Sequence, residues 1–230
     1  MKSAGRIFLI IAFYCGILAP GAIAQDKDGN PIPHFLFPSF REGYVKMKLG
    51  ESFSSLINYN MVEEKMIVEV DSGYRYSKVP DLIDTIYIED RAFVPFGNVF
   101  YEVIANGPVK FYLQNKATAT PKGNDVGYGV TSKSVGRTSY SRFELTQVIY
   151  QYGDVAYIEL PDNVDLASAS VYWVHRNGDI QNFINEKQFL RIFPEKSARL
   201  KQFIKAEKIS FKDRKDMMKL GAFVNRLSGQ

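Results

Sequence analysis

Between residues 43 and 116 the chain repeats one pattern eight times: a short run rich in β-branched and aromatic residues, then a polar or Gly/Asn/Asp break. The runs are GYVKMKL, FSSLINY, KMIVEV, YRYSKV, TIYIE, RAFVPF, VFYEVIA and VKFYLQ. Within Tyr44–Leu49, Val45, Met47 and Leu49 share one side and Lys46 and Lys48 the other, the period of a strand with one wet face. The spacing is that of an antiparallel meander. Asn106-Gly107 reads as a two-residue type I′ hairpin turn, which needs positive φ at both central residues. Asp71-Ser72-Gly73 reads as another turn, and Pro80–Asp84 as a single helical turn between strands.

Residues 117–141, ATATPKGNDVGYGVTSKSVGRTSYS, form the longest polar interval and read as a loop. Strands resume with FELTQVIYQY and VAYIEL. After a second loop, VYWVHR, Asn177-Gly178 and DIQNFI make a final hairpin with Trp173 expected to be buried. The remainder is helical. Asn185 caps a short helix with Gln188 at the reciprocal position, and Pro194 suits the first turn of the next. Leu200, Phe203 and Ile204 line that helix's inner face, with KISF as a break. Asp213 caps a last helix whose Met217, Leu220, Val224 and Leu227 form one apolar stripe. The expected fold is mainly β: an antiparallel sheet or meander, as a roll or sandwich, with a small C-terminal helical segment, α+β overall. The expected divisions are a signal peptide over 1–24, the β domain over 25–184 and a basic helical appendage over 185–230.

The signal peptide follows from Lys2 and Arg6 ahead of the apolar run IFLIIAFYCGIL, with small residues at Ala22 and Ala24 for cleavage. The run is short for a membrane span. A mature chain starting at Gln25 has no cysteine, because Cys15 is the only one, so disulfides and thiolate chemistry are excluded from it. No later segment is long and apolar enough to cross a bilayer as a helix. The expected location is periplasmic, outer-membrane-associated or extracellular. Charge is divided unevenly: residues 25–180 hold 15 Lys+Arg against 20 Asp+Glu, and residues 181–230 hold 12 against 5. The small net charge makes no case for nucleic acid. The basic tail suits an acidic partner or a membrane surface. The plainer reading places its charges on the solvent faces of helices docked on the acidic part.

One resemblance is carried by the NYN motif at Asn58-Tyr59-Asn60 and by the tail FLRIFPEKSARLKQFIKAEKISFKDRKDMMKL. Together with the export signal, these resemble exported β-rich proteins of the Bacteroidetes group that have a basic helical C-terminal segment. That family has no established activity, so the resemblance implies an envelope location and no mechanism.

The stretch GYGVTSKS, Gly127–Ser134, approaches a phosphate-binding loop but has Ser132 where that signature needs Gly. No buried strand precedes it, and Gly136 interrupts any following helix, so it reads as a polar loop. Tyr128, Lys133, Arg137 and Tyr140 are its candidate contacts for a partner or ligand. His34 and His175 have no metal-ligand spacing and read as structural histidines. Ser139, His175 and Asp179 make a formal triad that no motif supports. Glu63-Glu64 and Glu89-Asp90 fall at hairpin turns, where carboxylates are solvated rather than paired across a cleft. No catalytic residue, metal or cofactor is assigned. Phe35, Phe37, Phe40, Tyr44, Tyr59, Tyr74, Tyr76, Tyr87, Phe93, Phe96, Phe100 and Tyr101 crowd the β body, and most are expected in the core. The expected function is non-enzymatic binding of an envelope protein, as an accessory or scaffold. The alternatives are a hydrolase acting on glycan or peptide, and a carbohydrate-binding module marked by coplanar exposed aromatics.

Overall fold

A computed structural model describes residues 33–70, 73–76, 80–121, 160 and 164–229. The expected signal peptide, the strands FELTQVIYQY and VAYIEL except Leu160, and Tyr128, Lys133, Arg137, Tyr140 and Ser139 lie outside the described residues. All eight expected strands form: β1 (Arg41–Met47), β2 (Ser52–Asn60), β3 (Lys65–Val70), β4 (Gly73–Tyr76), β5 (Ile83–Ile88), β6 (Arg91–Phe96), β7 (Val99–Ala105) and β8 (Lys110–Gln114). A 3₁₀ turn over Pro80–Leu82 precedes β5. β11 (Val171–Arg176) and β12 (Asp179–Phe183) make the final hairpin. These ten strands join in one antiparallel sheet, in the order β12-β11-β8-β7-β6-β5-β1-β2-β3-β4. The fold is therefore mainly antiparallel β with a small C-terminal helical segment.

The sheet curls. Tyr59 on β2 stacks on Phe93 of β6 at 5.9 Å, and its hydroxyl donates to the Phe100 carbonyl of β7 at 3.1 Å. Strands β1 and β5 lie between them in the sheet, so this contact crosses the hollow of a roll. Val45, Ile57, Tyr59, Ile86, Ile88, Phe93 and Phe100 fill the hollow. Beside Gly43 there is no room for a side chain, since an added Cβ would sit 2.9 Å from the Ile57 Cδ1.

The NYN motif ties the N-terminal segment to the roll. Asn58 Oδ1 accepts from the Phe37 and Tyr59 N–H groups, and its Nδ2 donates to the Phe37 and Ser39 carbonyls at 2.8 and 3.1 Å. Asn60 Oδ1 accepts from the Val62 and Glu63 N–H groups and shapes the β2–β3 turn. That turn is where Glu63-Glu64 departs from expectation, because both residues are buried. The turn fits in beside β7 where β8 veers away: Phe100 N–H donates to the Glu64 carbonyl, and Ala117 N–H to that of Met61. Gln114 and Lys116 face the Glu64 carboxylate. Glu89-Asp90 is an exposed turn, as expected.

Two strands went unforeseen. β9 (Ala117–Pro121) opens the interval taken for a loop, and β10 (Val164–Ser168) lies in the second loop; they pair antiparallel as a separate ribbon. Ala117 and Ala119 pack against Val62, so small side chains, which carry little strand signal, are what the site admits. The two Asn-Gly dipeptides also differ. Asn177 and Gly178 both have positive φ and close a two-residue hairpin. At Asn106-Gly107 only Gly107 does, and the link runs to Val109. Pro108 has no N–H to start a return ladder. Instead, Asn225 of the last helix bonds both the N–H and the carbonyl of Val109, each at 2.9 Å.

The helices are α1 (Glu186–Ile192), α2 (Ser197–Ala206) and α3 (Arg214–Ser228), with a 3₁₀ turn over Pro194–Lys196 before α2. Asn185 caps α1 by accepting from the Gln188 N–H, and Gln188 Oε1 accepts from the Ile184 N–H in return. Asp213 caps α3 through the Asp216 N–H. Leu200, Ile204, Met217, Leu220 and Val224 are buried with Ile104, Phe111, Leu113, Tyr172, Val174 and Phe183 of the sheet, while Phe203 and Leu227 are partly exposed. Each such burial is worth about 1.5–3 kcal/mol. A bulge after Val103 turns both Ile104 and Ala105 toward this core, and Gly221 lets α3 approach until an added Cβ would meet Ala105 at 2.6 Å.

Candidate functional site

Successive pairings align Ile86, Phe93, Glu102, Leu113, Tyr172 and Phe183 in one row on the inner face. Five are apolar or aromatic and one is a fully buried carboxylate. Glu102 Oε2 accepts from Arg91 Nη2 and from Asn115 Nδ2, the latter at 3.0 Å. Its Oε1 accepts from Arg214 Nε, at the start of α3. Arg214 Nη1 continues to Asp90 Oδ2 at 3.1 Å, and Arg91 lies over the rings of Phe37 and Phe93. Burial alone would lower the Arg214 pKa, but the hydrogen bonds and charges of Glu102 and Asp90 outweigh it and raise it. The bond from Arg214 holds the Asp90 carboxyl below its usual range. Burial, then the Glu102 charge, pushes the Tyr172 phenol up to about 12. Every oxygen of Glu102 is engaged by a cation or amide. The cluster is a clamp that holds α3 on the sheet.

The histidines are apart. His34 is buried, with no hydrogen-bond partner to Nδ1 among the described residues, and burial lowers its pKa to about 4. His175 lies on the outer face, paired with Ile180, and Asp179 is opposite Arg176, so His175 and Asp179 do not share a cross-strand pair. Trp173 is only partly buried, unlike the expectation. It sits on the same outer face and donates from Nε1 to Gln114 Oε1 at 3.0 Å. Tyr101 is stacked between Phe96 at 4.6 Å and Trp173 at 5.8 Å. Each ring stacks on the next, and Phe96 also meets Tyr112 edge-on at 5.1 Å. Among the described residues no cluster of three or more His, Cys, Asp or Glu could hold a metal ion.

Exposed apolar side chains mark a different place. On the convex side of the roll, Tyr44 (47% exposed) is directly opposite Tyr87 (43%), and Leu56 (46%) stands one diagonal step away on β2. At the adjoining β1–β2 hairpin, Leu49 is 88% exposed and Phe53 51%. Antiparallel alternation sends Tyr44, Tyr87 and Leu56 outward because Val45, Ile57, Ile86 and Ile88 take the inner positions, whereas Phe53, opposite Val45, belongs to the other face. Lys46 and Asp84 flank the pair as an exposed ion pair at 3.1 Å. Tyr44 and Tyr87 stood among aromatics expected mostly in the core, and their adjacency to each other and to Leu56 needed the β2-β1-β5 order, which places β5 beside β1.

A second surface lies between α2 and α3. The helices run antiparallel, and Phe203 stacks on Phe223 at 4.0 Å with rings 5° apart. Two adjoining grooves of about 430 and 410 Å³ open along this seam. Among the described residues no helix is long and apolar enough to cross a membrane. Comparison with protein-family models, curated proteins and solved structures finds no match to this chain.

Proposed function

We propose that the protein is an exported, non-enzymatic binding module of the cell envelope that engages another protein, as an accessory or scaffold. The supporting observation is the contiguous Leu56–Tyr44–Tyr87 face. Contiguous apolar surface is costly to leave in water, and tyrosines are preferred anchors at protein interfaces. A glycan is the second reading, favoured by Ser52, Ser54 and Thr85 on the same face. Protein ranks first because the Tyr44 and Tyr87 rings are tilted by 41° and make no flat sugar platform. The test is in-cell cross-linking of the tagged full chain against a Tyr44→Ser/Leu56→Ser/Tyr87→Ser variant, with partners identified by mass spectrometry. A discrete envelope partner captured by the wild type and lost from the folded variant is expected. Equal capture by both removes this face from the reading.

A further inference from the structure

We infer that the seam between α2 and α3 is a second binding site, whose ligand is an acidic amphipathic helix of a protein partner. The inference goes beyond the sheet-face reading and does not depend on it. Residues 199/227, 203/223 and 207/219 line the seam in antiparallel order. Its floor is apolar: Phe203, Ala206, Ala222, Phe223 and Leu227. Its rim is basic, and Arg199 and Arg226 have no carboxylate partner among the described residues. Arg226 lies over the Phe223 ring at 5.6 Å, which holds its guanidinium at the groove edge. Lys219 is partly neutralised by Asp216, and Glu207 supplies one acid at the same end. Positive charge thus concentrates at the Arg199/Arg226 end. The segment over 181–230, with 12 Lys+Arg against 5 Asp+Glu, adds a field that attracts acidic ligands.

Shape selects the ligand further. Eight residues of α2 from Arg199 to Ala206 span about 12 Å, roughly two helical turns. A helix laid in such a groove offers apolar anchors at i, i+3 or i+4, and i+7. On this ligand the anchors cover the stacked phenylalanines and flanking carboxylates reach the two arginines, preferably bidentate. The probe is a labelled synthetic helical peptide of about 14 residues, with Leu at the anchor spacing and Glu elsewhere. Its counterpart carries Lys in place of Glu. Fluorescence anisotropy is read with the full mature chain, with an Arg199→Glu/Arg226→Glu variant and with a Phe203→Ser variant. The acidic peptide is expected to bind, at least tenfold more tightly than the basic one, and to weaken at least tenfold with the charge reversal. Binding should persist in the Tyr44/Leu56/Tyr87 variant, which separates this site from the sheet face. Circular dichroism confirms that the charge-reversed protein is folded. Failure of the acidic peptide to bind below about 1 mM overturns the inference. So does equal binding of both peptides. Binding to phosphatidylglycerol vesicles in place of the peptide also overturns it and assigns the seam to a lipid surface.

Discussion

Replacing Glu102 by Gln is the sharpest test of how the helices are mounted. The substitution keeps shape and removes the charge that Arg91 and Arg214 share. Their side chains are only 15% and 21% exposed, so water cannot substitute for the lost carboxylate. The new amide also turns N–H donors toward a guanidinium that can only donate. Breaking a buried pair by removing one member costs about 3–5 kcal/mol. Arg214 keeps Asp90, which places the cost near the lower figure, about 3 kcal/mol. For a chain of this size that lowers Tm by roughly 6–12 °C. Arg214→Met is milder, about 1–2 kcal/mol, because Glu102 retains Arg91 and Asn115 while Asp90 is at the surface. The assay is urea and thermal unfolding followed by circular dichroism. If Glu102→Gln stays within about 1 kcal/mol of wild type, or proves milder than Arg214→Met, the clamp does not hold α3 as described.

Two other perturbations probe the N-terminal segment. Asn58→Ala leaves the Phe37 N–H and the Phe37 and Ser39 carbonyls without their side-chain partner. About 2–4 kcal/mol of stability should go, with new proteolytic cleavage near residues 33–40, while an unchanged digest contradicts the latch. His34 predicts acid sensitivity. The unfolded imidazole takes up a proton near pH 6.5 and the folded one only near 4, so the unfolded chain binds more protons between them. Stability is therefore full above pH 6.5 and declines toward pH 4, by roughly 3 kcal/mol. Unfolding titrations of wild type and His34→Gln should diverge across that window; identical slopes refute the assignment.

Much of the architecture was legible because alternation and capping act locally. Asn185 and Asp213 announce helix starts through side chains that reach their own N–H groups, and Asn177-Gly178 closes its hairpin by its own dihedrals. Asn106-Gly107 differs because the link runs on to Val109, whose backbone groups are bonded by Asn225 of a helix more than a hundred residues away. β9 and β10 were obscure because Ala, Thr and Ser gain strand character only when a partner covers them. Glu102 left a readable trace that was missed: it shares strand phase with Phe100 and Ile104, and Arg91 shares phase with Phe93. A charge in step with core residues on two neighbouring strands signals a buried pair. Burial of Glu63-Glu64 left no such trace, since it depends on where β8 departs from β7. The convex tyrosine face and the α2–α3 seam likewise arise from element order and helix pairing.

The most direct measurement places a photoreactive amino acid at position 87 in the full chain, illuminates cells, and compares the products with those from the same residue at exposed Asp179 on the β11–β12 turn. A discrete adduct of one partner protein at position 87, absent from position 179, is the expected result. No position-87 adduct, or the same adducts at both positions, would contradict the claim that the Leu56–Tyr44–Tyr87 face binds a protein.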